Sequence, residues 1–237
     1  MLRRALLALG LLVLMAGTVF AFAFGIDTPS FHLKTSPGET KDNELVVYNQ
    51  SNSDLNILVS VEDWKYRENR TKQFLKKGTS QFSCGNWIEP EETSFVLAAG
   101  QKRKFHFKLR TPQNADGGHQ AVLFFEGIPA GSDDAAVKTK KGKPHGGVVI
   151  IGKIGALIYQ ETTGKTKASG EIIDLFGKAQ GDNVLASVKF KNTGNTWLEV
   201  QGNVVAIDEQ GMTIGRGDLA PIKILPGETV LSQIKVV

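Results

Sequence analysis

Apolar and polar residues alternate along this chain in short runs, and turn-forming residues close almost every run. Leu55, Ile57, Val59 and Val61 fall on one face of such a run, with Asn56, Ser60 and Glu62 on the other. Phe105, Phe107 and Leu109 alternate in the same way with His106, Lys108 and Arg110. A period of two marks a half-buried strand. Glu44–Tyr48 reads as a further strand before the turn cluster Asn49–Asp54, and Ala121–Phe125 as a compact apolar one after Asp116-Gly117-Gly118. Beyond the first residues, nothing holds a helical period for three turns. The predicted class is all-β.

The punctuation supports this reading. Ser36-Pro37-Gly38-Glu39-Thr40 and Leu225-Pro226-Gly227-Glu228-Thr229 each precede a strand. Pro sets φ at the second turn position and Gly supplies a positive φ at the third, so each predicts a type II turn. Ala98-Ala99-Gly100-Gln101 plays a similar part before the Phe105 strand. Short strands at roughly ten-residue spacing with such turns predict β-sandwiches.

Residues 129–147 are rich in Gly, Pro, Lys and Asp and lack an apolar period, which predicts a mobile loop. Val148–Tyr159 follows, apolar on both faces, as expected of a strand that is central or covered. Thr162–Lys165 reads as a hinge. Beyond it come Gly170–Phe176, Val184–Lys191, Trp197–Ile207, Met212–Gly215 and Val230–Val237, each a strand. A seven-stranded sandwich needs two more. The second domain is therefore expected to lack its last strands, as an open sandwich or as part of a longer chain, and to leave apolar surface uncovered.

The N-terminus has the order of an export signal. Arg3-Arg4 is basic, Ala5–Phe20 is apolar, and Ala21-Phe22-Ala23 fits a cleavage site. Cleavage would start the mature chain near Phe24, whereas retention would leave an anchor helix. The predicted division is a signal peptide at 1–23, an immunoglobulin-like domain at 24–161 and a second at 162–237. No later apolar stretch is long enough to cross a membrane as a helix.

Composition adds little. The chain is 41% hydrophobic and 22% charged with a net charge of +4, as in ordinary globular proteins. The cations are scattered apart from the run within Lys138–Lys143, so no nucleic acid partner is expected. Cys84 is the only cysteine, which rules out an intrachain disulfide and suggests a small buried residue near Trp87. The four histidines, His32, His106, His119 and His145, have no metal-ligand spacing. No nucleophile elbow, P-loop or dinucleotide fingerprint is present. The expectation is a non-enzymatic protein without cofactor or metal. Asn114–Gly118 reads as a turn rather than a calcium loop, and Arg216-Gly217-Asp218 as turn chemistry. Trp64, Trp87 and Trp197 are expected to anchor cores, and Lys65–Thr71 to form an exposed hairpin tip.

Glu44–Trp64, Leu97–Gly100, Gly117-Gly118 before Ala121–Glu126, and Phe124–Pro129 leading through a loop into Val148–Tyr159 together resemble the periplasmic pilus chaperone superfamily, the PapD-like proteins. The resemblance covers most of residues 26–159 and, more weakly, the rest. It implies two immunoglobulin-like β-sandwich domains, a periplasmic or cell-surface location and exported subunits or envelope proteins as partners. It also implies that the long strand is lent to a subunit. On that basis Val148, Ile150, Ile154, Ala156 and Ile158, which share one face, are candidate partner-binding residues. In that family an Arg on the first strand and a Lys on the last hold the subunit's terminal carboxylate. Aligned on Leu157–Tyr159, this sequence has Ala156 where that Lys belongs, Lys153 three residues earlier, and Lys34 near the Arg position. Lys34 is therefore a further candidate. Two functions stay open: strand-adding capture of extended segments, or a structural or adhesive envelope protein whose domains act as spacers.

Overall fold

The computed structural model describes residues 24–67, 70–131, 151–181 and 183–237. The predicted signal segment at 1–23, most of the predicted 129–147 loop, and Val148 and Ile150 lie outside the described residues. The described residues form fifteen strands: β1 (Phe24–Ile26), β2 (Ser30–Thr35), β3 (Thr40–Asn49), β4 (Leu55–Tyr66), β5 (Lys72–Lys76), β6 (Ile88–Pro90), β7 (Ser94–Leu97), β8 (Lys102–Arg110), β9 (Gly118–Pro129), β10 (Gly152–Thr162), β11 (Gly170–Gln180), β12 (Asn183–Asn192), β13 (Leu198–Ile207), β14 (Thr213–Ile224) and β15 (Thr229–Val236). The class is all-β, as the alternation predicts.

The first ten strands make two facing sheets. One has the order β1-β3-β8-β6 and the other β2-β10-β9-β4-β5, with β7 also on β4. The chain changes sheets at its first strand. β1 runs antiparallel to β3, the backbone turns at Asp27–Pro29, and β2 then runs parallel to β10. Asp27 fixes this crossing, because its carboxylate accepts the Val46 N–H at 2.8 Å, a bond that holds its pKa below the usual range.

Alternation then decides the core. Leu55, Ile57 and Val59 from β4 meet Phe105, Phe107 and Leu109 from β8 and Ala121, Leu123 and Phe125 from β9. The Phe105 ring meets Phe125 edge-on with centroids 5.0 Å apart and lies against Phe95 at 5.6 Å. Cys84 is buried in this core, where desolvation pushes its thiol far above the ordinary range. His106, on the opposite face of β8 from these rings, is exposed beside Glu44.

The turns close where expected. Glu39 N–H donates to Ser36 O, Gln101 N–H to Ala98 O and Glu228 N–H to Leu225 O, each at 3.1 Å. Gly38 and Gly227 have φ of 79° and 73°, values that L-residues with a Cβ rarely take.

Several strands run longer than their sequence pattern suggests, and two of them, β9 and β10, bear on the site. β9 extends from Gly118 to Pro129 because it is central, paired with β10 on one side and β4 on the other. Both its faces are covered, so Val122 and Phe124 are buried as well as their odd-numbered neighbours. β10 starts, among the described residues, at Gly152 and continues past Tyr159 through Gln160 and Thr162. Those two polar side chains are buried together. Gln160 Nε2 donates to Thr35 Oγ1 at 3.0 Å and to Thr162 Oγ1 at 3.1 Å, and Thr35 pairs with Thr111 at 2.6 Å.

The last five strands form a three-stranded sheet, β11-β12-β15, facing a two-stranded one, β13-β14. Their core is small: Ala186, Val188, Ile224, Val230, Ile234 and Val236. β11 is exposed along its whole length.

The two parts dock through one apolar cluster and several hydrogen bonds. Trp64, Val122, Phe124 and Tyr159 of the first part meet Leu225 of the second, with Trp197 against them. Gly117 N–H donates to Lys165 O at 3.2 Å, Gly118 N–H to Asn195 O at 2.7 Å, and Thr196 Oγ1 to Glu161 at 2.9 Å. The Lys65–Thr71 tip also reaches the second part. Arg70 Nη2 donates to Lys223 O, and its guanidinium lies 3.6 Å from Glu228. Contact is closest at Gly117, where a Cβ would lie 2.4 Å from the Asn195 carbonyl oxygen. Gly117→Val is expected to push the two parts asymmetrically apart. Small-angle scattering should show a larger radius of gyration, with the first domain still unfolding cooperatively.

Candidate functional site

β10 carries three of the predicted partner-binding residues, Ile154, Ala156 and Ile158; Lys34 lies on β2. The register of β10 with β9 is continuous, from Gly152 opposite Gly127 to Glu161 opposite Gly118. On its other side β2 covers only Leu157–Thr162, paired with Ser30–Thr35. Among the described residues, no strand pairs with Gly152–Ala156 on that side. β10 is therefore central over one half and an open edge over the other.

Strand backbone alternates, so the direction of these groups follows from one bond. Leu157 N–H donates toward β2, to Pro29 O at 2.9 Å. Residues two and four positions earlier point the same way. The N–H and C=O groups of Gly155 and Lys153 thus face the open edge, while those of Ile154 and Ala156 serve the β9 ladder.

Side chains divide between the two faces. Ile154, Ala156 and Ile158 point inward, as the sequence places them on one face. Ala156 and Ile158 are completely buried in the domain's own core, and Ile154 packs partly against it. Lys153 lies on the outer face, where its Nζ reaches Glu62 at 2.7 Å and sits 4.1 Å from the Phe124 ring centroid. Gly155 has no room for a Cβ, which would meet Val122 at 2.6 Å and Phe124 at 2.8 Å. The Phe124 ring leans over the strand at this point, and Phe74 meets it edge-on at 4.8 Å.

Lys34 lies at the other end of β10, opposite Glu161 in register and 3.7 Å from its carboxylate, and is largely exposed. Lys153 is eight residues along the strand, roughly 26 Å at about 3.3 Å per residue. The two amines do not converge on a shared anion position.

A group of residues at the joint escapes sequence reasoning. His32 on β2 stacks on Tyr159 with centroids 4.8 Å apart, and Trp197 approaches Tyr159 at 5.2 Å. Lys223 on β14 places its Nζ 4.1 Å from the Tyr159 ring centroid. Desolvation draws the Lys223 ammonium below its usual pKa against the opposing pull of Glu199. It also lowers that of His32, aided by the charge of Lys223. Burial and the neighbouring Tyr66 push the Tyr159 phenol well up. Spacing carries no signal for this cluster, whose members come from four strands or their flanks. It is best described as a polar-capped aromatic joint that fixes the second domain beside the paired half of β10.

What the open half can do is bind another strand. It offers backbone donors and acceptors in the alternating pattern of a sheet edge and holds them on a rigid, core-anchored strand. Among the described residues, no group of His, Cys, Asp or Glu could hold a metal ion. None of their helices is long and apolar enough to cross a membrane.

No family model matches the sequence, and no curated protein matches it either. Solved structures do share the fold. One comes from work on a chaperone–tip adhesin complex in CFA/I fimbriae biogenesis. It is 14% identical, with a TM-score of 0.54 over 89% of this chain and 85% of that one. Another is the class 5 fimbriae chaperone CfaA, 15% identical, with a TM-score of 0.50 over 87% of this chain and 84% of that one. At these identities the likeness is one of architecture: two immunoglobulin-like sandwich domains in PapD-like arrangement.

Proposed function

We propose, from the fold this chain shares with fimbrial chaperones, that it is an exported, non-enzymatic chaperone-like protein that captures extended segments of secreted or surface-assembled subunits by β-strand addition at β10. The observation that carries this reading is the half of β10, Gly152–Ala156, that no other described strand pairs on its β2 side, directly beside a half that β2 closes. A protein that only spaces other domains gains nothing from leaving part of a core strand open, because open edges invite unwanted pairing. The periplasm is the compartment this function requires.

Partner recognition in this reading divides between backbone and side chains. The outward N–H and C=O groups of Lys153 and Gly155 supply the hydrogen bonds. Ile154 marks where the inward stripe begins to emerge from the core. Val148 and Ile150 continue that stripe by sequence. Lys34 stays a candidate contact at the opposite end, separate from the open edge.

The test removes one outward donor and leaves the β9 ladder intact. Lys153→Pro deletes the N–H facing the open edge at a position where Pro suits an edge strand. Lys153→Ala keeps the N–H and loses the ion pair with Glu62, which as a surface contact contributes up to about 1 kcal/mol. Partners recovered from periplasmic extract by the wild type are expected to persist with Lys153→Ala and disappear with Lys153→Pro, both variants melting as cooperatively as the wild type. If Lys153→Pro keeps every partner, strand addition at β10 is wrong and the spacer reading replaces it.

A further inference from the structure

The second domain contains a cavity of its own, of about 530 Å³, between its two sheets. Its walls are largely apolar and come from all five strands, among them Ile172 and Leu175 on β11, Phe190 on β12, Val200 on β13, Leu219 on β14 and Ile234 on β15. A volume of this size lies within the range of ligand-sized sites, roughly 300–1,000 Å³. Two features narrow what could fill it.

The first is the shape of the opening. β12 lies between β11 and β15, whereas the facing sheet has only β13 and β14. β14 is tied to β15, with the Arg216 N–H donating to Val237 O at 2.9 Å and the Val237 N–H donating back at 3.2 Å. The two-stranded sheet thus covers the β15 side and stops short of β11. In consequence Ile172 and Leu175, which share a face with Phe190 and Val188 through direct pairing, are 62% and 57% exposed. The cavity opens between β11 and β13. Among the described residues each of these strands is paired on one side alone, β11 with β12 and β13 with β14, so backbone edges flank the mouth.

The second is charge. The charged residues of the lining are Glu171 and Lys191, which face each other at 4.0 Å and compensate one another. An occupant complementary to such a lining has no net charge on its inward side.

We infer that this groove accepts one extended segment of a partner polypeptide, uncharged and apolar at alternate positions, which pairs with the free edge of β13 and lays its inward side chains on Ile172 and Leu175. A strand meets both requirements at once, because it satisfies the β13 backbone and roofs the β11 side chains. A second copy of the chain meets them poorly. The exposed apolar side chains of β11 are Ile172, Ile173, Leu175 and Phe176. They amount to roughly a few hundred Å² per copy, well short of the about 800 Å² that each partner buries in a stable complex. The site is separate from the β10 edge and stands whether or not that edge binds a segment.

The probe is a fluorescein-labelled synthetic octapeptide of alternating Val and Thr, read by fluorescence anisotropy against the full chain. Saturable binding is expected. It should weaken at least about tenfold with Leu175→Lys, a substitution that an already exposed position tolerates. It should weaken similarly when alternate peptide nitrogens are methylated, because strand pairing needs those donors. Lys153→Pro, which removes the outward donor of β10, should leave the Leu175-dependent binding in place, and this arm separates the groove from the first-domain site. Absence of saturable binding overturns the inference. So does binding that Leu175→Lys or N-methylation leaves intact, since that describes adsorption or a simple apolar ligand. Sedimentation showing a dimer that Leu175→Lys dissociates would assign the groove to a second copy and overturn it equally.

Discussion

Truncating Trp64 to alanine should destabilise the first domain by about 3–5 kcal/mol, the usual range for a large aromatic removed from a well-packed site. Trp64 is completely buried although it lies on the outer face of β4. Its Nε1–H donates to Ala121 O at 3.2 Å, and its ring meets Tyr66 edge-on at 5.2 Å and Tyr159 at 5.7 Å. Leu225 of the second domain closes the same cluster. The truncation therefore leaves a cavity, removes the indole bond to the Ala121 carbonyl and also loosens the joint. Urea denaturation measures the loss, and small-angle scattering of the folded variant measures the loosening. A change below about 1 kcal/mol would mean that the second domain does not roof Trp64 in solution.

Its neighbour Asp63 should be nearly as sensitive for a different reason. Asp63 points inward and is fully buried, and its carboxylate is held by hydrogen-bond donors. Its Oδ2 accepts the N–H groups of Thr79 and Ser80, both at 2.8 Å, and its Oδ1 accepts the Ser83 hydroxyl at 2.5 Å. These bonds hold the segment after β5 against the core just ahead of Cys84. Bonds to an ionised acceptor contribute roughly 1.5–3 kcal/mol each, and water can replace part of that for the partly exposed donors. Asp63→Ala is expected to cost about 2–4 kcal/mol in urea denaturation. Asp63→Asn, which keeps one acceptor oxygen, should cost about half as much. Equal losses for the two variants would show that the carboxylate charge, rather than the number of acceptors, holds the segment.

These adjacent residues show why pattern reading succeeds for most of β4 and stops at its end. Leu55, Ile57 and Val59 are buried and Val61 is partly buried, on the face opposite Asn56, Ser60 and Glu62. At Asp63-Trp64 the polarity inverts relative to the faces: the acid is inside and the tryptophan outside. Both are buried, because a loop of hydrogen-bond donors covers one and a second domain covers the other. Likewise the part of the Val148–Tyr159 run that lies among the described residues is a strand from Gly152 onward. The run does not show that Gln160 and Thr162 extend the strand into a buried polar set with Thr35 and Thr111. Nor does it show that β2 closes only half of it. Ile154, Ala156 and Ile158 were legible as one face, but the same pattern suits a face filled by the domain's own core and one offered to a partner.

The sequence by itself determined what depends on neighbours along the chain. Period-two alternation set the all-β class and the inward face of each strand, and Pro37-Gly38 and Pro226-Gly227 set two tight turns through their own φ preferences. Tertiary structure alone decided which edges are paired, which outer faces are covered, and which distant residues meet. The joint of His32, Tyr159, Trp197 and Lys223, the open half of β10 and the groove between β11 and β13 all belong to this second group. The physical reason is that alternation records the face a side chain occupies and carries no information about what lies across from it. That depends on where whole strands come to rest, which hydrogen bonding and burial settle together over the entire chain.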